Sequence, residues 1–367
     1  MVGKGGAGGS SGAGGGGAGS GGQGGGAAGA GGASAGGSSG AGGGTGGAGG
    51  GTGGAAAWSC PAGPFTATLP ATASATRIAG VPPTTGADGT FNNNGNNFTN
   101  VEGPVWIGDA LYVSELTGDN LPPARILKIT SMDAVSVFIP DSGSNGLAVD
   151  KDGNIVSANH KAGGIVRFGV PSGTPTTLIS TYNGTRFNSP NDIAIRSDGT
   201  IYFSDPTHQN SANPQMGTHA YRLAPGATTA TIITDYVNQP NGITLSVDEQ
   251  ALFVSGGSGV KRYAVSSDGS VAMTGAAFGP SDVANATDGM TVDCAGNLYV
   301  AVSNSTNIVV VSPAGTKIAT ISASGLSAVT NVAFGGMDHM TLYITGYGSG
   351  KQQGAFKLQM PIPGMPY

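Results

Sequence analysis

Charged residues are scarce in this chain: Asp, Glu, Lys and Arg make up 10% of its 367 residues, and the formal net charge is −5. Soluble domains usually carry about 25% charged residues, so this surface must consist largely of Ser, Thr, Asn and Gly. The chain has 15 basic and 20 acidic residues, which excludes a strongly basic nucleic-acid-binding face. We therefore expect no nucleic-acid partner.

Long apolar runs are also missing. No stretch reaches the roughly 18 residues that a transmembrane helix needs, so we expect no membrane span. No segment shows a clear helical period of apolar residues, so we predict almost no helix. Cysteine is limited to Cys60 and Cys294, which either form one disulfide or remain two unpaired thiols, and the sequence leaves both alternatives open.

Residues 1–57 are almost wholly Gly, Ala and Ser, and we predict a disordered spacer because such a segment has no apolar side chains to bury. Residues 58–367 are then one all-β domain. Two Gly-x-Ser-x-Gly matches, at 8–12 and 36–40, arise from low complexity and carry no chemistry. A Gly-rich spacer before a Ser/Thr/Asn-rich domain favours an exported protein, secreted or tethered to the envelope. The chain shows no signal peptide, so a cytoplasmic location stays open.

One pattern recurs along residues 76–360. It begins with a polar residue, continues with an alternating apolar run and a turn, and ends with a second run, as in the hairpin from Arg186 to Pro206. The copies begin at Glu102, Asn145, Asn191, Asn241, Asp288 and Asn331. Steps of about 40–50 residues are typical of propeller blades, so we predict a six-bladed β-propeller of four-stranded blades. A strand near residue 76 should join the last blade and close the ring.

If each copy begins the innermost strand of a blade, these polar residues face one another across the central channel. Glu102, Asn191, Asn241 and Asp288 then offer oxygen atoms that suit one divalent metal ion, Ca²⁺ first, with Mg²⁺, Mn²⁺ or Zn²⁺ as alternatives. A cation would offset the cost of placing two carboxylates in a channel of low dielectric. The alternative is that the Asn-Gly and Asp-Gly pairs are simple turns at strand entries. We expect Asn145 and Asn331 either to support the metal ligands from behind or to be structural.

The chain resembles the family of gluconolactonase, regucalcin (senescence marker protein) and luciferin-regenerating enzyme over roughly residues 76–360. The motifs that carry the resemblance are VEGPVW, RFNSPND, QPNGI and TDGM. The resemblance implies that Glu102, Asn241 and Asp288 hold the metal and that Asn191 approaches the metal or the substrate. It also implies that Arg186 orients substrate oxygens. His160, in a stretch that carries a His in bacterial relatives, is a further candidate for substrate binding.

These observations favour a metal-dependent lactonase that opens a sugar lactone such as gluconolactone with a metal-activated water. Asp288 is the candidate catalytic residue, since a carboxylate within hydrogen-bonding reach can receive the water's proton. Two alternatives remain: an esterase or organophosphate hydrolase on the same site, and a non-catalytic Ca²⁺-binding or ligand-binding propeller. We expect a monomer with a small-molecule substrate. Asp192 and Asp205 are weaker candidates. Asp205 ends its strand before Pro206, and an Asp-Pro pair at a strand end is commonly a turn.

Overall fold

The computed structural model of the protein describes residues 59–81, 98–117, 124–209, 217–233, 237–348 and 354–365, and every structural statement below concerns these residues. They belong to a compact unit that runs from Gly53 to Tyr367. The segment 1–57, for which we predict disorder, lies outside them. The described chain is β-structure with one 3-10 turn, Ser281–Val283, which confirms the all-β prediction. None of its helical structure has the length or apolar character to cross a bilayer.

The described chain begins with two short strands, β1 (Thr72–Ser74) and β2 (Thr76–Arg77). Unit 1 then contains β3 (Phe98–Ile107), β4 (Ala110–Thr117), β5 (Ala124–Thr130) and β6 (Val135–Ile139). Unit 2 contains β7 (Ser144–Val149), β8 (Ile155–Asn159), β9 (Gly164–Phe168) and β10 (Pro175–Ile179). A two-stranded ribbon follows, made of β11 (Thr181–Tyr182) and β12 (Thr185–Arg186).

The remaining units have the same form. Unit 3 contains β13 (Ile193–Ile195), β14 (Ile201–Asp205), β15 (His219–Leu223) and β16 (Thr231–Ile233). Unit 4 contains β17 (Pro240–Leu245), β18 (Ala251–Gly256), β19 (Lys261–Ala264) and β20 (Ala276–Ala277). Unit 5 contains β21 (Thr287–Val292), β22 (Leu298–Val302), β23 (Asn307–Val311) and β24 (Lys317–Ser322). Unit 6 contains β25 (Ala328–Gly335), β26 (Thr341–Tyr347) and β27 (Gly354–Gln359), with β2 as its outer strand.

The first strands of these units contact one another in cyclic order. The sequence of contacts is β3, β7, β13, β17, β21, β25 and then β3 again. Within each unit the strands are antiparallel neighbours in chain order, and β2 enters unit 6 from the start of the domain. The arrangement is propeller-like, with one edge strand of every unit facing the common centre.

Apolar side chains fill the junctions between neighbouring units. The junction of units 2 and 3 is an example, since Phe187, Phe203 and Tyr221 are fully buried there with ring centroids 5.0–5.3 Å apart. Aromatic pairs at this spacing add to the stability that burial gives. Because Phe187 directly follows β12, this core also anchors the loop that leads to Asn191.

The turns between strands follow the predicted chemistry. In the hairpin of β13 and β14, Ile193 lies opposite Phe203, and the turn is Asp198-Gly199. Asp198 Oδ1 accepts a hydrogen bond of 2.8 Å from the Thr200 N–H. Gly199 has a φ of +90°, a conformation that a residue with a Cβ adopts only under strain. This turn therefore requires glycine at position 199.

The start of the domain closes the ring at two places. Thr76 pairs with Lys357 in an antiparallel ladder between β2 and β27, which confirms the strand predicted near residue 76. Just before it, β1 runs parallel to β24 of unit 5, a pairing that we did not predict. Cys60 and Cys294 form a disulfide, so the first of the two alternatives for the cysteines is the one the structure shows.

Candidate functional site

The predicted polar residues lie at irregularities in the first strands of the units. In five of the described units the register between the first and second strands shifts at this point. The shifts fall between Glu102 and Val105, Ser144 and Leu147, Pro240 and Ile243, Thr287 and Met290, and Val329 and Val332. A bulge re-aims the side chain of the extra residue. In unit 3, Asn191 and Asp192 precede the shortened first strand, which begins at Ile193.

Glycines that follow these residues allow the units to approach closely. A Cβ on Gly242 would lie 2.3 Å from the Asp288 carbonyl oxygen, and a Cβ on Gly146 would lie 2.6 Å from that of Asn191. Both glycines lie inside strands, β17 and β7. The Asn-Gly pairs are therefore not entry turns; glycine is needed because the next unit's backbone lies against it.

Serine hydroxyls bind the backbone carbonyl groups of three of the polar residues with which the repeats begin. Ser114 Oγ donates to the Asn145 carbonyl at 2.6 Å, and Ser255 Oγ donates to the Asp288 carbonyl at 2.6 Å. Ser204 Oγ lies 2.5 Å from the Asn241 carbonyl. In each case the serine belongs to the second strand of one unit and the carbonyl to the next unit. These contacts fix where the ring residues of neighbouring units stand.

Three carboxylates lie close together in this ring: Glu102, Asp192 and Asp288. Burial, followed by the charges of Asp288 and Asp192, raises the pKa of Glu102 well above its usual range. Burial and the charge of Asp192 raise the pKa of Asp288 to about 8. Burial raises the pKa of Asp192 to about 6. An arrangement that raises the pKa of three carboxyl groups favours protons or a cation among them.

Asp192 crosses the ring to two other units. Its Oδ2 accepts a hydrogen bond of 3.1 Å from the Ile243 N–H, and its Oδ1 accepts one of 3.4 Å from Asn331 Nδ2. Ile243 follows the bulge that carries Asn241. Asp192 therefore supports that bulge from the adjacent unit 3, a role that the sequence did not reveal.

Asn241 brings an amide group to the carboxylates. Its side chain hydrogen-bonds to Asp288, which opposes the effect of burial on the pKa of that carboxyl. The Oδ1 atom of Asn241 is buried and has no hydrogen-bond partner within the protein. Leaving a buried acceptor unpaired costs on the order of 1–3 kcal/mol, so this oxygen calls for a ligand of positive character.

This donor set fits a hard divalent cation. Glu102, Asn241 and Asp288 all offer oxygen atoms, which Ca²⁺ prefers and which also suit Mg²⁺ and Mn²⁺. In the part of the chain that the structure describes, no three His, Cys, Asp or Glu side chains are grouped so that they could hold a metal by themselves. Amide oxygens such as that of Asn241 are therefore needed to complete a ligand set.

A small cavity of about 10 Å³ lies beside Asp192 and Asn331. The other residues that line it are Pro104, Leu147, Ile193, Ile243, Thr244, Met290 and Val332. Such a volume holds about one water molecule. The cavity itself is therefore too small for a lactone.

Arg186 and His160, predicted to bind substrate, lie on neighbouring loops of units 2 and 3. His160 is buried, and its Nε2 atom is 3.2 Å from Asn145 Nδ2. The guanidinium of Arg186 donates hydrogen bonds to backbone carbonyl groups, among them those of His160 and Asn188. Asn191 is buried, and its carbonyl accepts the Gly146 N–H at 2.7 Å.

Residues 101–347 match the family model described as the SMP-30/Gluconolactonase/LRE-like region. This match covers more than half of the chain and includes Glu102, Asn191, Asn241 and Asp288. The chain belongs to this family.

Relatives within the SMP-30/gluconolactonase family include named lactonases. A gluconolactonase of Zymomonas mobilis is 28% identical over 267 residues, which cover 64% of this chain and 72% of the relative. The structure of a gluconolactonase from Xanthomonas campestris superimposes with a TM-score of 0.62 at 27% identity, covering 73% of this chain and 87% of that one. Regucalcin of Agrobacterium tumefaciens, described as a calcium-binding protein, gives a TM-score of 0.64 at 16% identity, covering 81% and 97%. The last likeness shows the fold alone.

Some residues near the site of this family member were not found from the sequence. Tyr347, at the end of β26, has a raised pKa because of burial and the charges of Asp288 and Glu102. Its hydroxyl donates to Asn304 Oδ1 at 3.3 Å. The serines of the second strands were also missed, although Ser114, Ser204 and Ser255 occupy the same position in their repeats. Their recurrence at this position is the signal by which they could have been found from the sequence.

Proposed function

We propose that this protein is a divalent-metal-dependent lactonase that hydrolyses a sugar lactone such as gluconolactone on a six-bladed propeller. The observation that carries the proposal is the meeting of Glu102, Asp288 and the unpartnered Asn241 oxygen in one ring. The cyclic contacts of the first strands support six blades. The gluconolactonases of Zymomonas mobilis and Xanthomonas campestris support the substrate class.

Calcium is the cation that we propose for the site. Glu102, Asn241 and Asp288 would hold it, with Asn191 as a further ligand, and the oxygen-only donor set supports Ca²⁺ over Zn²⁺. The calcium-binding regucalcin of Agrobacterium tumefaciens shares the fold. When bound, such a cation polarises an ester carbonyl and makes a nearby water more acidic.

The protein's own residues supply the remaining steps. The lactone binds outside the small cavity beside Asp192 and Asn331, because that cavity leaves room for about one water. Asn191 and His160 orient the substrate oxygens. As a water attacks the carbonyl carbon, its proton passes to a carboxylate oxygen of Asp288. The ester C–O bond of the lactone then breaks, and the departing oxygen takes the proton back from Asp288, which gives the hydroxy acid and restores the carboxylate.

Turnover of gluconolactone is expected to stop in the presence of a chelator and to return when Ca²⁺ is added. The reason is that two buried carboxylates and an unpaired amide oxygen cannot hold the substrate carbonyl without a cation among them. Acid release in a weakly buffered solution measures the reaction. Turnover that survives chelation would contradict metal dependence. If no lactone is hydrolysed in a substrate panel, the protein is a ligand-binding propeller or acts on other esters or organophosphates.

Without a divalent cation, the protein is expected to be less stable at about pH 8 than at about pH 5. The folded state raises the pKa of Asp192 to about 6 and that of Asp288 to about 8. Between the unfolded and folded pKa values, the folded state binds more protons than the unfolded state. The free energy of unfolding therefore falls as the pH rises through this window.

Thermal unfolding at the two pH values, with chelator and with added Ca²⁺, measures this effect. Calcium should replace the protons, so the difference in Tm between the two pH values should shrink when the ion is present. Equal stability at both pH values in chelator would show that the carboxylates do not hold raised pKa values.

Export is our proposal for the location. The Cys60–Cys294 disulfide supports it, because disulfides persist in oxidising compartments and are rare in the cytosol. Alkylation of free thiols in cells before lysis would label both cysteines if the protein resided in a reducing compartment.

A further inference from the structure

Arg186 lies between two loops of neighbouring units. Its Nη1 atom donates to the carbonyls of Phe187 at 3.0 Å and Asn188 at 3.1 Å. Its Nη2 atom donates to the carbonyls of His160 at 2.5 Å and Lys161 at 3.4 Å. Each of these two nitrogens carries two N–H groups, so the four donors have four backbone acceptors. The fork of the guanidinium thus joins the loop after β8 to the loop after β12.

The guanidinium is also fixed by packing. A Cβ on Gly163 would lie only 2.2 Å from Arg186 Cζ, so the planar group rests directly on this glycine. Gly163 has a φ of +61°, which favours glycine for a second reason. The guanidinium therefore has no freedom to turn toward another partner without leaving both loops.

Asp205 holds the second loop from its other side. Its carboxylate accepts the N–H of Asn188 at 3.0 Å and the N–H of Ser189 at 2.8 Å, and the residue is fully buried. The positive charge of Arg186 also acts on this carboxyl. The loop that carries Asn188 is therefore held in place by Asp205. The hydrogen bonds of Arg186 connect this loop to the loop of His160.

His160 in turn meets the ring of polar residues. Its Nε2 atom lies 3.2 Å from Asn145 Nδ2, and the amide Nδ2 can only donate, so Nε2 is the acceptor. In the same orientation of the amide, Asn145 Oδ1 is buried without a hydrogen-bond partner within the protein. The position of the His160 backbone thus decides whether this contact forms.

We infer that Arg186 is a positioning residue, which holds His160 beside Asn145 and does not itself contact the substrate. The inference rests on the proposed lactonase function for its kinetic consequence. It differs from the role that the family resemblance implies for Arg186, and the difference follows from the four backbone acceptors of the guanidinium.

A double-mutant cycle tests the inference. Arg186→Ala and His160→Ala should each lower kcat/KM by about 10²-fold, the cost of misplacing a group by about 1 Å, and the double variant should be no worse than His160→Ala. For gluconolactone and for an unsubstituted six-membered lactone, the loss in Arg186→Ala should follow the loss in His160→Ala, because Arg186 acts only through His160. Additive losses, or a loss in Arg186→Ala that is confined to gluconolactone while His160→Ala affects both lactones equally, would overturn the inference.

The NMR signals of the histidine rings give a readout that does not depend on activity. The chain has four histidines, so their ring signals can be assigned by substitution. Arg186→Ala and Arg186→Lys should both shift the His160 ring signals in the absence of substrate, because lysine cannot replace the fork. Arg167→Ala, which removes an ion pair with Asp150, is the matched control and should leave them unchanged.

Unchanged His160 signals in a folded Arg186→Lys variant would overturn the inference. If the wild-type protein hydrolyses no lactone, the proposed function fails, while the NMR comparison still decides the role of Arg186.

Discussion

Replacing Asp288 with asparagine is expected to lower kcat/KM for gluconolactone by at least about 10³-fold, within the range for loss of a general base. Asparagine has nearly the same shape, so Ser255 can still bind the backbone carbonyl of residue 288 and the fold should persist. What is lost is the negative charge among Glu102 and Asp192 and the oxygen that receives the water's proton. The affinity for Ca²⁺ should fall as well, which titration calorimetry can measure.

Asp268→Asn is the matched control for this substitution. Asp268 also precedes a glycine, but it lies in an exposed turn, where it accepts hydrogen bonds from Ser270. Asparagine can make the same contacts, so activity and stability should stay near those of the wild type. An Asp288→Asn enzyme with wild-type activity would show that the proton acceptor and the metal lie elsewhere.

Gly242→Ala is expected to lower the free energy of unfolding by about 3 kcal/mol, the upper part of the range for overpacked sites. The added Cβ would lie 2.3 Å from the Asp288 carbonyl oxygen and 2.8 Å from Gly289 Cα, so backbone rather than a flexible side chain must move. Because Asp288 belongs to the backbone that must move, activity should also fall. Urea unfolding followed by circular dichroism measures the stability.

Gly184→Ala provides the comparison. Gly184 has a φ of +80°, and no atom lies within 4 Å of the position of its Cβ, so its substitution reports conformational strain alone. That strain is roughly 1–2 kcal/mol. A Gly242→Ala variant that loses no more than Gly184→Ala would show that the two units are free to separate at this point.

Much of the fold was accessible from the sequence because its signals are local. Alternating apolar runs and Asp-Gly turns such as Asp198-Gly199 specify hairpins without reference to distant residues. The strand near residue 76 was predicted from the need to close the ring, and its pairing with β27 confirms it. The parallel pairing of β1 with unit 5 was missed, since a run of three residues is too short to predict a strand.

The site was predicted in its residues more than in its connections. Repetition drew attention to Glu102, Asn241 and Asp288. In the structure the charge of Asp288 acts on Glu102 and Asn241 hydrogen-bonds to Asp288, while their role as metal ligands stays a prediction. The bulges that re-aim them were not visible, because strand register depends on the partner strand. For the same reason, Gly242 was open to interpretation as a turn residue until its neighbour in unit 5 was seen.

Asp192, Asp205 and Arg186 show more directly what the sequence alone does not determine. The sequence gives the type of each side chain but not its hydrogen-bond partners. Asp192 accepts hydrogen bonds from Ile243 of the adjacent unit and from Asn331 of unit 6, whereas Asp205 binds two N–H groups of one loop. Arg186 has the chemistry of a substrate ligand, yet its guanidinium is occupied by backbone carbonyls.

The covalent link at the start of the domain also determines how the protein responds to mechanical tension. A pull transmitted through residues 1–58 meets the Cys60–Cys294 bond before it reaches β1 or β2. The load therefore passes into unit 5, and the short edge strands that complete the ring are spared from peeling. A tether attached upstream of Cys60 can thus be stretched without opening the ring that holds Asp288.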